Sequence, residues 1–154
     1  MSAPYITPDG FHKLKSDYDQ IWKRRSEVVS ALSDAAAEGD RSENAEYIYR
    51  KKELRQLDYK IRYLQNRLEE LCVVNEVNDN DHVYFGAWVS LESKSGNIIS
   101  KRIVGFDELD NDTDYISIDS PLARALLNKK VDNVIEYSIK NAKISYKIIS
   151  IRYR

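Results

Sequence analysis

From Phe11 to Ala35, apolar residues recur at alternating spacings of three and four: Phe11, Leu14, Tyr18, Ile21, Val28, Leu32 and Ala35, with Arg25 the one interruption. The pattern resumes with Tyr47, Leu54, Leu57, Ile61, Leu64, Leu68 and Leu71, interrupted at Arg50. Such spacing over about four heptads predicts a coiled-coil seam. Thr7 can cap the first helix and Pro8 suits its first position. Apart from Gly10 in the first turn, neither stretch holds an internal Pro or Gly. The break between them falls at Gly39, which can adopt positive φ and end a helix. Residues 1–74 are therefore expected to form one antiparallel two-helix hairpin. Arms of roughly 30 residues extend about 45 Å at a rise of ~1.5 Å per residue. That length suits a probe that reaches into something. A coiled coil for dimerisation is the plainer use, but pairing within the hairpin occupies the seam, which predicts a monomer.

After a polar linker over residues 75–82 the period falls to two. Val83, Phe85, Ala87, Val89 and Leu91 alternate as in a strand. Ser95-Gly96-Asn97 reads as a turn, Ile98–Phe106 and Tyr115–Asp119 as strands, and Asp107–Asp114 as a solvated acidic loop. Ser120 and Pro121 pair an N-cap with an N1 proline and open a short helix through Leu122, Ala123, Leu126 and Leu127. Val134–Ile139 and Ile144–Tyr153 close the chain as a hairpin across Lys140-Asn141. The apolar phase slips from Ile144, Tyr146 and Ile148 to Ile149, Ile151 and Tyr153, which predicts a bulge. The fold class is α+β: a helical hairpin followed by a small β-rich domain over 83–154 with one short helix.

Composition narrows the setting. The 154 residues carry 24 Lys and Arg against 25 Asp and Glu, so net charge does not point to nucleic acid. The single cysteine, Cys72, excludes an internal disulfide and reads as a small apolar filler near a helix end. Met1–Tyr5 lacks a basic segment followed by an apolar run, and no apolar stretch approaches the ~20 residues that span a bilayer. A cytoplasmic protein with no membrane partner is expected. No Ser/His/Asp arrangement, paired cysteines or phosphate loop is present, and His12 and His82 stand far apart.

The chemistry concentrates at the acidic tip of the hairpin, residues 39–44. Asp40 and Glu43 stand in D-x-x-E spacing. They can form an Asp-type capping box, satisfying free N–H groups and the positive end of the helix. They can equally form half of a Mg²⁺ site, since that ion keeps waters and takes further ligands from a substrate or partner. Behind the tip, Arg50, Lys51, Lys52, Arg55, Lys60, Arg62 and Arg67 face only Glu53 and Asp58 in sequence, interleaved with Tyr47, Tyr49, Tyr59 and Tyr63. Such a strip is either a solvated face with i,i+4 pairs or a track for a single-stranded phosphate backbone.

Gly39–Tyr47 resembles the hairpin tip of the Gre-family transcript cleavage factors of bacterial RNA polymerase. Arg41-Ser42, with Lys51-Lys52 and Leu54-Arg55, resembles the GreB type rather than the GreA type, although the net charge of −1 is less basic than that type implies. Phe85–Val89 and Tyr115–Leu127 resemble the family's second signature. The resemblance covers nearly the whole chain. It implies that the hairpin enters the polymerase secondary channel, where the 3′ end of backtracked nascent RNA is extruded. It implies an FKBP-like C-terminal domain docked on the channel rim, near Asp119, Ser120 and Pro121. The tip acids matching Asp40 and Glu43 would help hold a second Mg²⁺ that the polymerase's own aspartates complete, for two-metal phosphodiester hydrolysis. The ion would not be bound stably by this chain alone, and the chain would have no turnover of its own. Ser42, Asn44 and Tyr47 would support the tip, and Lys51, Lys52 and Arg55 would hold RNA. Three alternatives stay open: a secondary-channel inhibitor that blocks without cleaving, a stand-alone metallonuclease drawing on Glu38 and Glu46, and an interaction protein whose hairpin is only a spacer.

Overall fold

A computed structural model describes residues 3–37, 44–75 and 81–153. The chain divides into two compact units, His12–Glu70 and the combination of Met1–Phe11 with Leu71–Arg154. The first eleven residues thus group with the β-rich part rather than with the hairpin. Of the expected linker, residues 76–80 lie outside the described residues.

In the hairpin unit, α1 (Pro8–Ala37) and α2 (Ala45–Glu70) have 30 and 26 residues. Val28, Ala35, Leu57 and Ile61 are buried, and the other seam residues within this unit are half-buried, so the apolar phase faces inward along both helices. Contacts of Arg24 with Glu53, Arg25 with Asp58 and Asn44 with Ala35 fix the antiparallel sense. They also account for the two seam interruptions. Arg25 Nε lies 2.6 Å from Asp58 Oδ1 on the other helix. Arg50 holds Glu46 at 2.9 Å and Glu53 at 3.3 Å, and Arg24 holds Glu53 at 2.7 Å from the other side. The bond to Glu53 raises the Arg24 pKa, and the bond to Glu46 raises that of Arg50. Pairs this exposed add little stability, so the apolar seam holds the arms together.

In the second unit a short parallel pair, β1 (Tyr5–Ile6) and β2 (Cys72–Val73), accompanies a five-stranded sheet. The sheet comprises β3 (Trp88–Ser93), β4 (Ile98–Val104), β5 (Tyr115–Ser117), β6 (Val134–Ile139) and β7 (Ala142–Arg152), in the order β5-β4-β3-β7-β6. One face is buried through Val89, Leu91, Ile103, Ile148 and Ile151, with Leu122, Ala123 and Leu126 of α3 (Pro121–Leu126) in the same cluster. The β6–β7 turn places Lys140 and Asn141 at φ 48° and 69°, the two positive values of a type I′ turn. Opposite β3, Ser90 pairs with Ser150 and Leu91 with Ile148, so Ile149 is the extra residue of the bulge.

Three expectations need correction. The strand expected from Val83 begins only at Trp88, because Gly86 takes φ +88° in a turn closed by Ala87 N–H to the Tyr84 carbonyl at 3.2 Å. Val83, Phe85 and Ala87 are nevertheless buried, so the inward phase survives without the strand. Cys72 is exposed on β2 rather than filling a core. The acidic loop is not simply solvated: Phe106–Asn111 is a 3₁₀ helix and Glu108 is 1% exposed. Glu108 Oε2 accepts from the backbone N–H of Thr7 and of Gly105, each at 3.0 Å, and Oε1 bonds the Thr7 hydroxyl. Thr7 Oγ1 in turn accepts from Gly10 N–H at 3.1 Å, which is the N-cap expected at the start of α1. One buried carboxyl therefore ties the cap of α1 to the β-rich unit.

Candidate functional site

The tip residues Asp40, Ser42 and Glu43, with the helix stop at Gly39, lie outside the described residues. Their flanks decide one question about them. The N-cap of α2 is Asn44: its Oδ1 accepts from Tyr47 N–H at 3.1 Å, and its carbonyl accepts from Ile48 N–H at 3.1 Å. Its Nδ2 donates 2.8 Å to the Ala35 carbonyl, so the same side chain satisfies a group at the end of α1. The third helical position therefore belongs to Tyr47. A capping box that puts Asp40 at the cap of α2 and Glu43 at its third position is overturned, because Asn caps as well as Asp and the helix starts four residues later than that box requires.

Two carboxylates are hard oxygen donors of the kind Mg²⁺ prefers, and they are too few to close its shell. Among the described residues no group of three or more His, Cys, Asp or Glu could hold a metal ion. Glu46, one of the two acids a self-sufficient centre would need, is engaged by Arg50. Two carboxylates alone would leave most of the shell of such an ion to other ligands.

Behind the tip, Lys51, Lys52 and Arg55 are all exposed. The Lys51 ammonium lies 5.8 Å from the centre of the Tyr47 ring. Lys52, Arg55, Lys60 and Arg62 form no ion pair among the described residues, unlike Arg24, Arg25 and Arg50. Within the strip, the helical pairing of a plain solvated face is made by Arg50 with Glu46 and by Arg67 with Glu70, but among the described residues not by Lys52, Arg55, Lys60 or Arg62.

At the second predicted site the three residues have separate tasks. Ser120 caps α3, its Oγ accepting from Ala123 N–H at 3.2 Å, and Pro121 takes the N1 position with its ring exposed. Asp119 Oδ2 accepts from Ala3 N–H at 3.1 Å, so this carboxylate also tethers the N-terminal segment. The sequence reading missed that tether and the Glu108 clamp. The G-x-x-E spacing of Gly105 and Glu108 was the available signal for the latter.

Two family models match the chain: "Transcription elongation factor, N-terminal" over residues 4–73, and "Transcription elongation factor, GreA/GreB, C-term" over residues 78–153. Curated relatives named transcription elongation factor GreB include one from Xanthomonas axonopodis pv. citri, 51% identical over 99% of this chain and 92% of its own length. Another, from Pseudomonas aeruginosa, is 54% identical over 84% of this chain and 79% of its own. A crystal structure of the GreA factor homolog 1 protein of Thermus thermophilus aligns with TM-score 0.44 at 23% identity, covering 96% of this chain and 97% of that one.

Proposed function

Since the chain belongs to the GreA/GreB family of transcription elongation factors, we propose that it stimulates cleavage of backtracked nascent RNA by bacterial RNA polymerase. In this reading the hairpin enters the secondary channel of the polymerase as a monomer in the cytoplasm. It brings Asp40 and Glu43 to the extruded RNA 3′ end, and the β-rich domain docks on the channel rim. The observation that supports the reading is the cap supplied by Asn44, so the start of α2 does not call on the tip acids.

Asp40 and Glu43 would hold Mg²⁺ together with carboxylates of the polymerase, and the ion would supply positive charge for water activation and leaving-oxygen stabilisation. This chain's own part is to deliver two negative ligands at the end of a long arm, held by the Asn44 bond between α1 and α2. Engagement of Glu46 by Arg50 disfavours a stand-alone nuclease. The direct test is RNA cleavage in a stalled, backtracked polymerase complex with and without the protein. Cleavage accelerated only when both are present supports the proposal, and binding that merely blocks the polymerase indicates an inhibitor.

Two further outcomes are expected. Replacing Lys51, Lys52 and Arg55 together by Ala is expected to slow cleavage most on long backtracks and to flatten its salt dependence, because each lost phosphate contact lowers the salt slope by about 0.7 for a single strand. Cleavage with wild-type salt response would make the strip a solvated face. At the rim, Pro121→Asp is expected to weaken polymerase binding without unfolding the protein, since the ring is exposed and Ser120 keeps the cap. Asp119→Arg is a poorer probe, because it also breaks the bond to Ala3. Unchanged affinity with Pro121→Asp would place docking elsewhere.

A further inference from the structure

On the outer face of α2, opposite the buried Leu57 and Ile61, exposed aromatic rings alternate with cations that form no ion pair among the described residues; of the rings, Tyr49 carries the Arg50 guanidinium 5.4 Å from its centre. At 3.6 residues per turn, Tyr49, Gln56 and Tyr63 fall on one line, flanked by Lys52, Tyr59 and Lys60. Tyr59 is 72% exposed, Tyr49 60% and Tyr63 49%. No acid interrupts this arc between Ile48 and Tyr63: Asp58 is held by Arg25 and Glu53 by Arg24 and Arg50, all at the edges of the seam. Arg55, Gln56, Tyr59 and Lys60 line a shallow, open depression on this face.

A face that served solubility alone would show charges of both signs and few bare rings. Cations without acids call for a polyanion, and flat exposed rings among them call for flat groups carried on it. We propose that the depression at Tyr59 is a nucleobase subsite, where one base of single-stranded RNA stacks on the Tyr59 ring while Arg55 and Lys60 neutralise the flanking phosphates. Gln56 presents both an amide donor and an amide acceptor to the base edge. Stacking of this kind tolerates any base, since every base has a π-face. It adds a grip on bases to the phosphate track proposed above, and it rests on that reading of the strip.

The test is anisotropy titration of the full-length protein with two labelled single-stranded oligomers of equal length and charge, one RNA and one abasic. The RNA is expected to bind at least about fivefold more tightly, the low end of what one stacked base contributes. Tyr59→Ala is expected to remove that difference and leave the salt slope unchanged, because the slope counts phosphates rather than bases. Tyr59→Trp is expected to retain the difference. Salt-dependent binding of the abasic oligomer reports the phosphate track by itself, which separates a failure of the strip from a failure of the subsite. Equal affinity for the two oligomers, including binding of neither, overturns the subsite, as does a Tyr59→Ala protein that still prefers RNA.

Discussion

Replacement of Glu108 by Ala is expected to destabilise the β-rich unit by about 2–6 kcal/mol, since it strands two buried N–H groups, those of Thr7 and Gly105, at ~1–3 kcal/mol each. Glu108→Gln keeps one acceptor oxygen and is expected to lose less. The surrounding glycines give a sharper check. In an exposed helix interior Gly→Ala gains up to about 1 kcal/mol. At Gly10 of α1, however, a Cβ would stand 2.1 Å from Glu108 Oε1, and at Gly105 it would stand 1.8 Å from the Tyr5 carbonyl oxygen. Gly10→Ala is therefore expected to lower stability despite its better helix propensity, and Gly105→Ala to lower it further, because the obstacle there is backbone. Denaturant unfolding of the four variants measures this. Wild-type midpoints for Glu108→Ala and Gly10→Ala would show that the clamp contributes nothing.

The other large effect concerns the tip. Asp40→Asn and Glu43→Gln are expected to reduce cleavage at least about tenfold, since even outer-shell partners of metal ligands cost about 10–100-fold when lost. Both changes remove charge while preserving size and hydrogen-bonding capacity. Raised Mg²⁺ is expected to restore part of the rate, because the defect is weakened ion binding. Both proteins are expected to compete with wild type for polymerase and to melt at the wild-type temperature, since Asn44 caps α2.

The hairpin was legible because its signal is local and periodic: the seam predicted from Leu14 to Leu68 is the one that faces inward. The β7 bulge was legible for the same reason, as a slip in the apolar period between Ile148 and Ile151. What escaped depends on partners distant in sequence. The G-x-x-E spacing points from Glu108 to Gly105 alone; Thr7, 101 residues away, leaves no mark near it, and nothing near Asp119 announces Ala3. The strand start at Val83 was misplaced because alternation reports which side chains turn inward, and a Gly86 turn preserves that while ending the ladder. At the tip, the competition between Asp40 and Asn44 for the cap was invisible to spacing alone. Both residue types cap well, and only the position of the first helical turn decides between them.

The most direct measurement is the cleavage rate of 3′-labelled RNA in a stalled, backtracked polymerase complex at saturating Asp40→Asn protein, beside wild type. The variant is expected to occupy the complex, as shown by displacement of labelled wild-type protein, while the rate falls toward that of polymerase alone. A variant that binds and cleaves at the wild-type rate would leave Asp40 no part in the chemistry.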